Sequence, residues 1–293
     1  MDITLPRPIQ QKLEQTLSQW AHWQCEAPLN RAPQVVEVLS PGYSNFSILV
    51  ETPKRFVVRI DGVNPTTNGL RRQSEWRTLL AASRAGIAPP ARYFNPELGS
   101  MVCDFLEHDA VQDRPLNEVA DLLRRIHTLP ARHHRLDIGE RVLRYEKLLE
   151  RKGHSMGEQL RECQARVTEL IPGLNQHPGE PVLCHNDLLK ANRIYSGGVL
   201  WAIDWEYCAM ASPWYDIAVV ANGDSMSTSE TEELLQAYLG RAARDEERAA
   251  LQHFGSVYCY LELLWYLALD RPALSPGDIE QKTQTLMERL RPH

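Results

Sequence analysis

A chain of 293 residues, 43% apolar and 24% charged, has room for one large soluble domain or two modest ones, each with its own core. Its formal charge of −6 argues against a nucleic-acid or anionic-membrane partner. Six cysteines with no CxxC pair and no zinc-like spacing read as free thiols of a reducing compartment. No apolar run approaches the roughly 20 residues that span a bilayer. The opening MDITLPRPIQQKLEQ has neither the basic nor the apolar region of a secretory signal, so a cytoplasmic location is expected.

Ile9, Leu13, Leu17 and Trp20 recur at helical spacing and predict an amphipathic helix within residues 8–24. The β-branched runs VVEVLS, NFSILVET and RFVVRID follow, separated by turn-forming residues, and predict antiparallel strands. Residues 70–85 return to helical periodicity and stop at Gly86, with Pro89 and Pro90 just beyond. ARYF and SMVCDFL add two strands. From about residue 107 the pattern is mostly helical, over 116–128, 139–152, 156–170, 229–243, 245–269 and 276–290. A strand-rich patch at 182–207 interrupts these helices, with a hairpin at Ser196-Gly197-Gly198. The expected fold is α+β and bilobal. Residues 1–106 would form a small β-rich lobe with one main helix and residues 107–293 a larger α-rich lobe, and a cleft between two such lobes is a common ligand position.

Chemistry concentrates in one stretch: His185-Asn186-Asp187-Leu188, then Asn192, then Asp204 after the hairpin. Phosphoryl transfer needs a carboxylate beside the acceptor hydroxyl and hard oxygen ligands for Mg²⁺. Asp187 would orient the hydroxyl and accept its proton, while Asn192 and Asp204 would hold the metal. Asp and Asn are also common turn residues. Their ordered appearance between apolar strands favours the chemical reading.

The run CHNDLLKANRIY…IDWEY resembles the aminoglycoside phosphotransferase/choline kinase superfamily, and within it the choline/ethanolamine kinase and bacterial thiamine kinase branch. The resemblance extends from about Pro41 to Trp265 and implies a protein-kinase-like fold with ATP and Mg²⁺ as cofactors. It implies that the loop carrying Ser44, Asn45 and Phe46 covers the ATP phosphates and that Arg59 contacts them from its strand. Glu75 would orient Arg59, and Asp104, Phe105 and Leu106 would form the hinge against the adenine, chiefly through backbone groups. A solvated strand charge at Arg59, and an exposed face joining Glu75 to Arg71, Arg72 and Arg77, are the competing readings. His127, His185 and Asp216 are assigned to bracing rather than to chemistry.

Trp205, Glu206, Tyr207 and Trp265 are candidates for the acceptor pocket, with Glu206 expected to point away from the face of Asp204. The helix holding Tyr258, Tyr260, Glu262, Trp265 and Tyr266 combines aromatic faces with an acid, which suits a small cationic alcohol. Most of these aromatics also fit a helix core. The expected function is ATP-dependent, Mg²⁺-assisted phosphorylation of a choline, ethanolamine or thiamine type of acceptor. A non-catalytic nucleotide- or cation-binding module, an amino sugar or aminoglycoside kinase, and a purely structural interaction protein are the alternatives.

Overall fold

A computed structural model describes residues 5–40, 45–62, 70–110, 115–154, 157–177, 179–269 and 274–291. The chain divides into two compact units, Met1–Arg114 with Ala191–Cys208, and Pro115–Lys190 with Ala209–His293. This differs from a single cut after residue 106. The hairpin that follows the predicted catalytic loop belongs with the first unit, where Ala202 N–H donates to Ile87 O at 2.8 Å and Asp109 N–H to Tyr195 O at 2.9 Å.

In the first unit, α1 (Arg7–Ser18) precedes β1 (Gln34–Ser40), β2 (Asn45–Glu51) and β3 (Arg55–Asp61). Helix α2 (Arg72–Arg84), β4 (Ala91–Asn95) and β5 (Ser100–Asp104) follow. The strands form one antiparallel sheet in the order β1-β2-β3-β5-β4. Alternation along β3 sorts its side chains. Phe56, Val58 and Ile60 pack with Ile48, Val50 and Val102 against Ile9 and Leu13 of α1, and Trp23 completes that core. Arg59 and Asp61 therefore fall on the other face.

The second unit starts at α3 (Leu116–His127), whose Val119, Leu122, Leu123 and Ile126 are buried at helical spacing. It continues through α4 (Ile138–Arg151), α5 (Glu158–Leu170) and the short strand β6 (Val182–Cys184). The chain then enters the first unit for β7 (Arg193–Ser196) and β8 (Val199–Ala202), joined by a two-residue turn. Gly197 and Gly198 both have positive φ there (61° and 73°), the conformation a tight hairpin requires. It returns at β9 (Ala209–Ala211), which pairs with β6. Helices α6 (Pro213–Gly223), α7 (Thr228–Leu239), α8 (Asp245–Ala268) and α9 (Pro276–Arg289) complete the unit.

Serine caps start two of these helices. Ser227 accepts from Glu230 N–H and Ser275 from Asp278 N–H, each with the acid reaching back to the serine amide. Helix α6 was not expected from sequence. Pro213 through Ala221 are all buried, so the segment is apolar all round and carries no amphipathic period. No helix of the described residues is long and apolar enough to cross a membrane, and all six cysteines are free.

Candidate active site

Two sets of polar residues carry the candidate chemistry, one in each unit. In the first unit, Arg59 is the hub. One guanidinium nitrogen donates to Asp204 Oδ1 at 2.7 Å and another pairs with Glu75. The Arg59 side chain is 13% exposed and that of Glu75 only 2%, so neither is a solvated surface charge. Burial opposes the charge of Arg59, but Glu75, Asp204 and Glu206 outweigh it and raise its pKa further.

A second guanidinium completes the cluster. Arg72 meets Asp61 at 2.7 Å, Glu75 at 2.8 Å and Glu206 at 3.1 Å, and donates to Asn45 Oδ1 at 2.7 Å. Asn45 in turn donates to Glu206 at 2.7 Å. Arg72 entered the sequence reading only through the competing picture of an exposed charged face, and its i,i+3 spacing to Glu75 gave no sign of burial. Glu206 also differs from expectation. Glu206 lies close enough for its charge to raise the pKa of Asp204, and residues two apart share a face of a strand, so alternation gave no ground for parting them. Trp205 is buried, its Nε1–H donating to Ala202 O at 3.1 Å. Tyr207 is half-buried.

Asn192 and Asp204 are brought together through the backbone, where Ile203 N–H donates to Asn192 O at 2.9 Å. Asp204 itself has φ 58°, a left-handed conformation that Asp tolerates better than most residues. Burial, then the charge of Glu206, lifts its pKa to about 7 despite Arg59. Across this cluster Asp61, Glu75, Asp204 and Glu206 face Arg59 and Arg72, four carboxylates to two guanidiniums, a formal charge of −2. Hard oxygen donors carrying surplus negative charge fit a divalent cation such as Mg²⁺.

The nucleotide-binding residues fare unevenly. Ser44 lies outside the described residues, whereas Asn45 is buried and Phe46 half-buried. At the expected hinge, Asp104 N–H donates to Pro90 O at 2.9 Å and Phe105 N–H to Arg55 O at 3.1 Å. The Asp104 carboxylate is held by Arg92 at 2.6 Å and Lys54 at 2.7 Å. These two amides serve the fold.

In the second unit the segment His185–Leu189 is pinned from below. Asp216, completely buried on α6, accepts from His185 N–H at 2.9 Å and Asn186 N–H at 2.7 Å. His127 Nε2 lies 3.1 Å from the same carboxylate, and its Nδ1 lies 2.8 Å from the Tyr238 hydroxyl. Burial would raise the pKa of Asp216, but the His127 hydrogen bond and the neighbouring histidines overcome it and the carboxyl stays below its usual range. Asn186 adopts φ 63°, turning the chain just before Asp187. Leu189 N–H closes back on Asp187 O at 2.9 Å. Around Asp187 stand Tyr215 and Tyr258, whose phenols are raised first by burial and in part by the Asp187 charge. Trp265 lies farther along α8, half-buried, its ring 5.0 Å from that of Tyr266.

The model of the phosphotransferase enzyme family matches residues 35–252. Protein LicA of Haemophilus influenzae is 25% identical over 212 residues, covering 67% of this chain, and the chain spans 60% of that relative. The solved structure of LicA in complex with AMP shares 22% identity at a TM-score of 0.75, covering 96% of this chain and 97% of the other. A choline/ethanolamine kinase family protein from Mesorhizobium loti shares 21% at 0.71, covering 95% and 93%. The bilobal kinase-like fold is common to them. With a match over residues 35–252, the chain belongs to the phosphotransferase enzyme family.

Proposed function

We propose that the protein transfers the γ-phosphoryl group of ATP to the hydroxyl of a small cationic alcohol of the choline, ethanolamine or thiamine type. The observation that carries this reading is Arg59, gripped by Glu75 and Asp204 together, which supports a phosphate-binding cation beside a metal-binding carboxylate. Asn192 and Asp204 would hold Mg²⁺, which supplies charge neutralisation at the phosphoryl oxygens when bound. Arg59 holds the phosphates, and the backbone at Leu106 contacts the base. Asp187 orients the acceptor hydroxyl and takes its proton, on a segment fixed by Asp216. Residues 1–106, with 191–208, then serve nucleotide binding, and the remainder serves the acceptor.

The aromatic and acidic face of α8 beside Asp187 supports a cationic acceptor, as does the likeness in fold to a choline/ethanolamine kinase family protein. A cytoplasmic location is consistent with six free thiols. The test is coupled ADP release from Mg-ATP against choline, ethanolamine, thiamine, an amino sugar and an aminoglycoside. Turnover on one cation that vanishes in Asp187→Ala, with ATP binding retained, is the expected result. ATP binding without turnover on any acceptor would point to a non-catalytic module.

A further inference from the structure

We propose that Lys282 of α9 is a specificity-determining residue: its ammonium fills an alkylammonium subsite on α8, and a cationic acceptor enters by displacing it. The chemistry of the acceptor rests on the function proposed above. Lys282 Nζ lies 2.7 Å from Glu262 Oε2 and 5.6 Å from the centre of the Tyr266 ring. A carboxylate and an aromatic face around one ammonium are the elements that recognise an alkylammonium ion. Here the ion comes from the chain itself.

The subsite is linked to the catalytic segment. Tyr258 lies one helical turn before Glu262 on α8, and its phenol feels the charges of both Glu262 and Asp187. Its hydroxyl also packs beside Gly223, next to Leu189, two residues beyond Asp187. A cation held at Glu262 could therefore carry its hydroxyl toward Asp187 along the Tyr258 side of α8.

Displacement does not require α9 to move. Leu286 and Thr283 are buried, Arg289 reaches Asn222 and lies 3.4 Å from Cys259 Sγ, and Arg166 donates to Leu290 O at 2.8 Å. These contacts anchor the helix without Lys282. The Lys282 side chain is 38% exposed and that of Glu262 20%, so the pair is open to solvent and weak. A lysine on a flexible four-carbon stem can swing into water, whereas a quaternary ammonium gains the desolvated aromatic face.

The probe is tetramethylammonium, which has the charge but no hydroxyl, titrated calorimetrically into the wild type, Lys282→Met and Glu262→Gln. Lys282→Met is expected to tighten binding about three- to tenfold, and Glu262→Gln to weaken it by a similar factor. Lys282→Gln serves as a second uncharged variant, and both are compared at matched helical circular dichroism. Binding that is unchanged or weaker in both Lys282 variants would overturn the proposal, as would indifference to Glu262→Gln. Because tetramethylammonium cannot be phosphorylated, this result is separate from turnover. A silent acceptor panel with the expected binding pattern would reject the kinase reading and keep the subsite, and the reverse pattern would do the opposite.

Discussion

Arg59 and Asp204, 145 positions apart in sequence, form an ion pair at 2.7 Å while the same guanidinium is shared with Glu75. The residue proposed to hold phosphate and one proposed to hold metal thus form an ion pair with each other. Asp204 itself sits in a left-handed conformation just past the end of β8.

Arg59→Met should therefore damage stability as well as binding. It takes the guanidinium from Asp204 and leaves Arg72 alone to face Glu75 and Glu206, and removing one partner of such a partly buried set costs about 3–5 kcal/mol. Urea denaturation should show that loss, and calorimetry should show weakened ATP binding. Arg59→Lys should recover part of the stability but less of the binding, since it lacks the two-pronged geometry. An unchanged denaturation midpoint in Arg59→Met would mean that the pair is solvated after all.

The raised pKa of Asp204 gives a pH dependence of known sign. Its ordinary value is 3.8 and burial with Glu206 lifts it to about 7 in the folded, ligand-free protein. Between these values the folded state keeps a proton that the unfolded state has lost. Its contribution to stability is full below pH ~4 and falls as pH rises toward 7. The side chain is 36% exposed, so solvent blunts the size of the effect. Asp204→Asn should flatten the slope of stability against pH across this window. Mg²⁺ uptake by the wild type should tighten as pH rises through 7, because the ion no longer displaces a proton. A slope identical in Asp204→Asn would assign the titration elsewhere.

Asp216→Asn tests the brace under the catalytic segment. The wild-type carboxylate accepts from His185 and Asn186 amides with its two oxygens. An asparagine offers one oxygen and turns an N–H against the other amide. The unsatisfied donor costs about 1–3 kcal/mol. A displacement of Asp187 by about 1 Å can lower kcat on the order of 10²-fold. Hydrogen exchange should accelerate at His185 and Asn186, kcat should fall, and ATP affinity should hold. Unaltered exchange at those two amides would show that the brace lies elsewhere.

Much of this was legible in the sequence, and the gaps have physical causes. Amphipathic helices announced themselves by period, so α3, α4 and α8 fall within a residue or so of expectation. Helix α6 escaped because nine consecutive buried residues leave no period to detect. Asp187, Asn192 and Asp204 stood out as candidates because they are clustered in a short stretch. Arg72 was not, since an arginine three residues before a glutamate looks the same whether buried or exposed. Glu206 was misjudged because residues 204 and 206 are two apart, a spacing that strand alternation places on one face rather than on opposite faces. Lys282 and Glu262 are twenty residues apart on different helices, and only the fold brings them together.

Gly223→Ala sets helix propensity against packing. In an isolated helix alanine is favoured over glycine by up to about 1 kcal/mol. At this position, however, the new methyl would overlap Leu189 Cδ2 and come within 2.9 Å of the Tyr258 hydroxyl. Leu189 can rotate, but the Tyr258 ring is buried on α8 and has little room. Overpacking of this kind costs about 1–3 kcal/mol, so packing should win. The strain falls on the residues joining Asp187 to α8, so the acceptor KM should rise while the ATP KM stays put. Steady-state kinetics varying each substrate in turn would check the split. A variant that melts higher than the wild type with both KM values intact would show that this contact is soft, and would remove Tyr258 from the path between the catalytic segment and Glu262.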